Sequence, residues 1–135
     1  MQHSTKLHIT KVEEIVILDV SGQKFDASFA IHLKKEVQPL LKDSSQMILN
    51  LEDVNFLDST GLGALVYLQK KLQESSNPDR FLKLTGVKTE INRLFQLAKM
   101  DKVFQQYTTI HDALEDTDPS LVDKYMDVVA KSQAN

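Results

Sequence analysis

The sequence predicts an α/β protein built on a mixed β-sheet. Three observations lead there. Short apolar or β-branched runs alternate with longer segments of helical period, the pattern of a sheet with crossover helices. The first two runs, residues 6–11 and Ile15–Val20, are separated by little more than Glu13-Glu14. So tight a link cannot cross over, and that pair must be antiparallel. At 135 residues the chain fits one domain that can bury a core without staples, and it has no cysteine.

Each element has its own signal. Leu7 and Ile9 alternate with polar neighbours, as in a half-exposed strand. Ile15-Val16-Ile17-Leu18-Asp19-Val20 is a buried strand ended by Ser21-Gly22. Phe29, Leu33, Val37 and Leu40 recur at helical spacing behind Asp26 or Ser28 as a cap, and Pro39 should kink or stop that helix. Met47–Leu51 is the next buried strand, and Glu52–Asn55 a polar connection. Leu62, Leu65, Val66, Leu68 and Leu72 form a wide apolar helical face, followed by the turn cluster Ser75–Asp79.

Phe81, Leu82 and Leu84 mark a further strand stopped by Gly86. Ile91, Leu94, Phe95 and Ala98 give a short amphipathic helix. Val103-Phe104 is a short strand candidate, and Thr109 caps a helix holding Ala113 and Leu114. Asp118 and Pro119 then suit the start of one more helix, with Leu121, Tyr125, Val128 and Val129 on one face. That helix could dock on the core or make a homodimer or partner contact.

Composition narrows the function. Hydrophobic content is 41%, charged content 26% and net charge −3, with Lys and Arg spread along the chain. Nothing suggests a nucleic-acid surface or a basic membrane patch. No window approaches the ~20 apolar residues of a membrane helix, and Met1–Lys6 carry no apolar signal region. Enzyme signatures fail one by one. Gly61-Leu62-Gly63 lacks the third glycine of a dinucleotide fingerprint, because Val66 stands there. No Gly-Lys-Ser/Thr follows a suitable glycine, so there is no P-loop. A nucleophile elbow at Ser59 would need glycine where Leu57 sits. His3, His8, His32 and His111 are scattered, with no zinc-clamping pair at i, i+4. The chain therefore reads as a non-enzyme with no cofactor and no metal site of its own.

The most informative stretch is Asp58-Ser59-Thr60-Gly61-Leu62-Gly63, between a buried strand and an apolar-periodic helix. A helix start offers unpaired N–H groups and partial positive charge, so a phosphate on Ser59 could be tolerated there. Equally, Asp58 or Ser59 could simply be an N-cap. Gly61 and Gly63 could reflect close packing on the sheet or the approach of a partner.

Phe56-Leu57-Asp58-Ser59-Thr60-Gly61-Leu62-Gly63 resembles the central motif of bacterial anti-sigma factor antagonists, the small STAS-domain proteins. Gly22 with Phe25-Asp26-Ala27, Leu82–Val87, Ile91–Phe95 and Thr109–Leu114 resemble further family segments in the family's order. The resemblance implies a mixed sheet with helices packed mainly on one side. It implies a STAS domain over residues 1–116, followed by a C-terminal helical extension over 117–135. It also implies a cytoplasmic partner-switching regulator. Ser59 would be phosphorylated by an anti-sigma factor serine kinase, which itself carries ATP and magnesium, and a phosphoserine phosphatase would reverse the modification. Asp26, Asp58, Thr60, Gly61, Leu62 and Gly63 would form the partner site, with Thr60 a secondary acceptor. Two alternatives stand beside this one: a STAS scaffold or sensor that is never phosphorylated, and a module that binds a nucleotide, lipid or other small ligand beside the Gly61–Gly63 turn.

Overall fold

Parallel crossovers organise this chain. In a computed structural model, which describes residues 5–42, 44, 46–74 and 80–133, the main sheet contains β1 (Lys6–Val12), β2 (Ile15–Ser21), β4 (Gln46–Asn50), β6 (Phe81–Thr85) and β7 (Gln105–Tyr107). They lie side by side in that order. β1 pairs antiparallel with β2 across the Glu13-Glu14 turn, where Glu13 adopts φ 57°. The remaining pairs are parallel, so the sheet is mixed, as expected. Two short strands missing from the sequence reading, β3 (Lys24–Phe25) and β5 (Phe56–Leu57), make a separate parallel pair. The turn expected at Ser75–Asp79 lies outside the described residues.

The helices follow from their caps and apolar faces. α1 (Ala27–Val37) begins at Asp26, whose Oδ1 accepts from the Phe29 N–H at 3.2 Å. It gives way to a 3₁₀ turn at Gln38–Leu40 where Pro39 cannot continue the α-helical bonding. α2 (Ser59–Gln73) is capped by Asp58. α3 spans Thr89–Leu97, α4 Ile110–Thr117 behind its Thr109 cap, and α5 Ser120–Gln133.

The larger core lies between the sheet and α1–α3. Val16, Leu18, Met47, Leu49, Leu82 and Leu84 meet Phe29, Leu33, Leu65, Leu68, Ile91 and Phe95 there. Phe95 and Phe104 stack with centroids 5.5 Å apart. The opposite face carries Val12, Ile15, Ile17 and Ile48 under Ala113, Leu114 and Leu121 of α4 and α5. Alternate residues of β2 thus feed opposite cores, which is why the strand reads as one continuous apolar run.

Three local expectations are corrected. The strand placed at Val103-Phe104 starts at Gln105. Phe104 leaves the ladder to fill the core, while Val103 stays exposed. Ala98 is exposed and ends α3 instead of facing the core. In α5, Val128 points outward and Val122 packs in its place beside Leu121 and Tyr125. Of the roles left open for α5, docking on the sheet is the one observed. An ion pair from Lys124 Nζ to Glu13 Oε2 (2.6 Å) ties it to the β1–β2 turn.

Candidate functional site

The two-residue sheet builds the site. Parallel pairing sets Phe25 opposite Leu57, and both side chains are buried. The next residue on each strand is an aspartate, so Asp26 and Asp58 leave the small sheet as neighbours. Each caps the helix that follows it, one starting α1 and the other α2. Two helix N-termini with their partial positive charges therefore open side by side.

Around Asp58 the bonding is dense. Its Oδ1 accepts from the Gly61 N–H at 2.9 Å and from the Thr60 hydroxyl. These bonds, the Thr60 hydroxyl foremost, hold the Asp58 carboxyl below the usual carboxylate range. The cap is thus Asp58, and Ser59 is the first residue of α2. Ser59 is exposed. Its neighbour Thr60 is exposed too, but its hydroxyl is committed to Asp58.

The two glycines differ. A Cβ on Gly61 would lie 2.6 Å from both the Phe25 carbonyl oxygen and Leu57 Cδ1. Gly61 is there so that α2 can sit on the small sheet. A Cβ on Gly63 would meet nothing within 4 Å, and the residue is exposed. Internal packing does not require it. Phe56, 46% exposed, and half-buried Leu62 put apolar surface beside Ser59, whereas Leu57 is buried. A groove of about 940 Å³ opens next to Asp26, lined also by Thr5, Lys6, Gly22 and Lys24.

A second polar cluster escaped the sequence reading. Lys83, in the middle of β6, is 1% exposed. Its Nζ donates to the Ala113 carbonyl at 2.9 Å and to Thr117 Oγ1 at 2.7 Å, and lies 3.6 Å from Asp116. Thr117 in turn donates to Gln46 Oε1 at 2.8 Å, and the Tyr107 hydroxyl donates to Asp116. Burial pushes the Lys83 ammonium below its ordinary range, against the pull of Asp116. Burial also pushes the Tyr107 phenol up to about 12, with help from its bond to Asp116. The cluster is a fastening between sheet and α4, and it lies on the sheet face away from α1–α3. A lysine between Leu82 and Leu84 gives no sign in the sequence that a helix will cover it.

Among the described residues no three His, Asp or Glu side chains gather as a metal site, and no helix is long and apolar enough to cross a membrane.

Comparison with known proteins gives a consistent picture. A family model for the STAS domain matches residues 6–113. An anti-sigma-B factor antagonist of Staphylococcus aureus is 35% identical over 77 residues, which cover 56% of this chain and 68% of that protein. The anti-sigma factor antagonist SpoIIAA in its unphosphorylated form superposes with a TM-score of 0.69 at 16% identity, covering 84% of this chain and 96% of the other. The Bacillus cell fate determinant SpoIIAA in its phosphorylated form gives 0.64 at 16% identity, over 84% and 99%. At that identity the two structures speak for the fold alone.

Proposed function

This chain belongs to the STAS domain family, and from that premise we propose that it is an anti-sigma factor antagonist switched by phosphorylation of Ser59. Unmodified, it binds an anti-sigma factor that is also a serine kinase, and so frees the sigma factor. Phosphorylated, it lets go. The kinase brings ATP and magnesium, a phosphoserine phosphatase resets the switch, and the exchange takes place in the cytoplasm. This chain supplies the acceptor hydroxyl and the docking surface and performs no catalysis itself. One observation carries the reading: Ser59 is exposed at the first position of α2, while the neighbouring Thr60 hydroxyl is tied to Asp58.

The charge argument explains how one group could release a partner and spare the fold. Phosphorylation adds about −1.5 to −2 charges and three acceptor oxygens. At a helix start the N–H groups and the dipole favour it by ~0.3–1 kcal/mol, up to ~2. Asp58, ionised and close by, works against that gain. Ser59 is exposed, so water screens both effects and the isolated protein keeps its fold. A partner packed over Ser59, Phe56 and Leu62 instead meets a bulky dianion beside Asp58. Covering that dianion strips its water at a cost of several kcal/mol, and even ~2 kcal/mol weakens binding roughly thirty-fold. Asp26 and Gly63 extend the same contact surface.

The test is incubation with ATP, magnesium and an active anti-sigma factor kinase, read by intact mass. One phosphate on the wild type and none on Ser59→Ala is expected. Ser59→Asp should bind the kinase at least tenfold more weakly with a nearly unchanged melting temperature. No phosphate on the wild type, with the kinase active on a control substrate, would leave the scaffold reading in its place. A large stability loss in Ser59→Asp would instead assign Ser59 to the structure of the helix start.

A further inference from the structure

The exposed face of α2 does not end at Ser59. Ser59, Gly63, Val66, Tyr67 and Lys70 follow one another at helical spacing on one side of the helix. Lys70 lies about 16 Å along the axis from Ser59. Between them is a pocket of about 330 Å³ lined by Gly63, Val66, Tyr67, Lys70, Lys71 and Glu74. Gly63 leaves its upper end open, since a Cβ there would touch nothing within 4 Å. Val66 and Tyr67, half-buried, form an apolar floor. Lys34 Nζ of α1 stands 5.1 Å from the centre of the Tyr67 ring and Lys71 Nζ 5.8 Å, so two ammonium groups lie within cation–π reach of the ring.

The last turns of α1 and α2 contribute Lys34, Lys35, Lys70 and Lys71. Glu36 and Glu74 stand in or beside the same turns, and Glu74 Oε1 lies 3.4 Å from Lys71 Nζ, so the four lysines outnumber the carboxylates there by two, on a chain whose net charge is −3. Lysines in last turns also complement the helix dipole. That role, however, needs neither a half-exposed apolar floor nor an exposed glycine in the second turn of the helix.

We propose that the kinase-binding surface continues from Ser59 down α2 into this basic pocket, and that an acidic segment of the same partner fills it. The segment places a carboxylate against Lys70 and Lys71 and an apolar side chain on Val66 and Tyr67. This rests on the phosphorylation reading above. Charge complementarity selects the occupant, and a stable interface of about 800 Å² per partner is wide enough to reach both ends of the stripe. The pocket would then be a second anchor, one that determines how tightly the substrate form is held without touching the phosphoryl transfer.

Steady-state phosphorylation of Ser59 by the purified anti-sigma factor kinase separates the two readings. Lys70→Glu with Lys71→Glu should raise KM at least tenfold and leave kcat unchanged, with a small drop in melting temperature from the reversed charges at the helix end. Glu74→Lys, which makes the pocket more basic, should lower KM. The KM of the wild type should rise with salt, and that of the double variant much less. Lys11→Glu with Lys131→Glu, exposed lysines of β1 and α5, controls for net charge and should change little. An unchanged KM in the Lys70/Lys71 variant overturns the second anchor while the Ser59 reading stands. So does an equal rise in the control. A wild type that accepts no phosphate overturns the Ser59 reading, and the second anchor falls with it.

Discussion

At the scale of single residues, two glycines two positions apart serve opposite needs. Gly61 sits against the Phe25 carbonyl, and a methyl group there has nowhere to go. Gly61→Ala should destabilise the fold by about 1–3 kcal/mol, as overpacked positions do, and displace the start of α2. Gly63 faces open space within a helix. Gly63→Ala should stabilise the fold by about 0.5–1 kcal/mol, because alanine is the better helix former. Urea denaturation of the two variants checks both signs. Both glycines look alike in the sequence, and only the neighbouring strand distinguishes them. Asp58 adds an acid dependence. Its carboxyl is held below the ordinary range by the bonds it accepts in the folded state. That stability is present above the unfolded pKa of about 3.9 and is lost as pH falls through the lower folded value.

At the scale of elements, the site depends on a pairing of two residues with two. β3 and β5 are too short to leave a periodic signal, yet their register is what makes the two capping aspartates neighbours. The fastening of α4 to β6 is the counterpart on the other face. Tyr107 carries a pKa raised from 10.0 to about 12 by burial and by Asp116. The folded protein therefore holds that proton more tightly than the unfolded chain. The corresponding stability is fully present below pH 10 and is lost as pH rises through about 12. Lys83 has the opposite sign: its folded pKa is depressed from 10.5, so its burial penalty eases as pH rises toward that value. Tyr107→Phe should remove the tyrosine part of the alkaline loss. Near neutral pH it should cost about 0.5–1.5 kcal/mol for the missing hydrogen bond. Denaturant midpoints measured at neutral pH, at pH 9 and at pH 11.5 would show both effects.

At the scale of the whole molecule, the sheet has two faces with different tasks. One packs against α1–α3 and carries the proposed Asp26–Asp58–Ser59 site at its edge. The other is covered by α4 and α5. α5 contributes one buried residue, Leu121, the half-buried Val122 and Tyr125, and the Lys124–Glu13 ion pair, while Met126 and Val128 stay exposed. A chain ending at residue 117 should keep the five-stranded sheet, lose roughly 2–4 kcal/mol of stability from uncovered apolar surface, and still accept phosphate at Ser59. Circular dichroism, thermal melting and the intact-mass assay would each read one of these. Loss of phosphorylation in a folded truncation would tie α5 to the partner site after all.

Periodicity, caps and turn residues in the chain were enough to determine the mixed sheet, the antiparallel opening pair, the cap at Thr109, and the motif that points to the family. All of these arise from contacts or spacings a few residues apart. Tertiary structure alone decided which of Asp58 and Ser59 is the cap, why Gly61 must be glycine and Gly63 need not be, that Lys83 is buried, and that α5 lies on its own sheet. The cap rests on local bonds from Gly61 and Thr60 to Asp58; the others depend on neighbours distant along the chain: Phe25 against Gly61, Ala113 over Lys83, Glu13 beside Lys124. Local spacing carries no record of such meetings, because they exist only once the strands have paired.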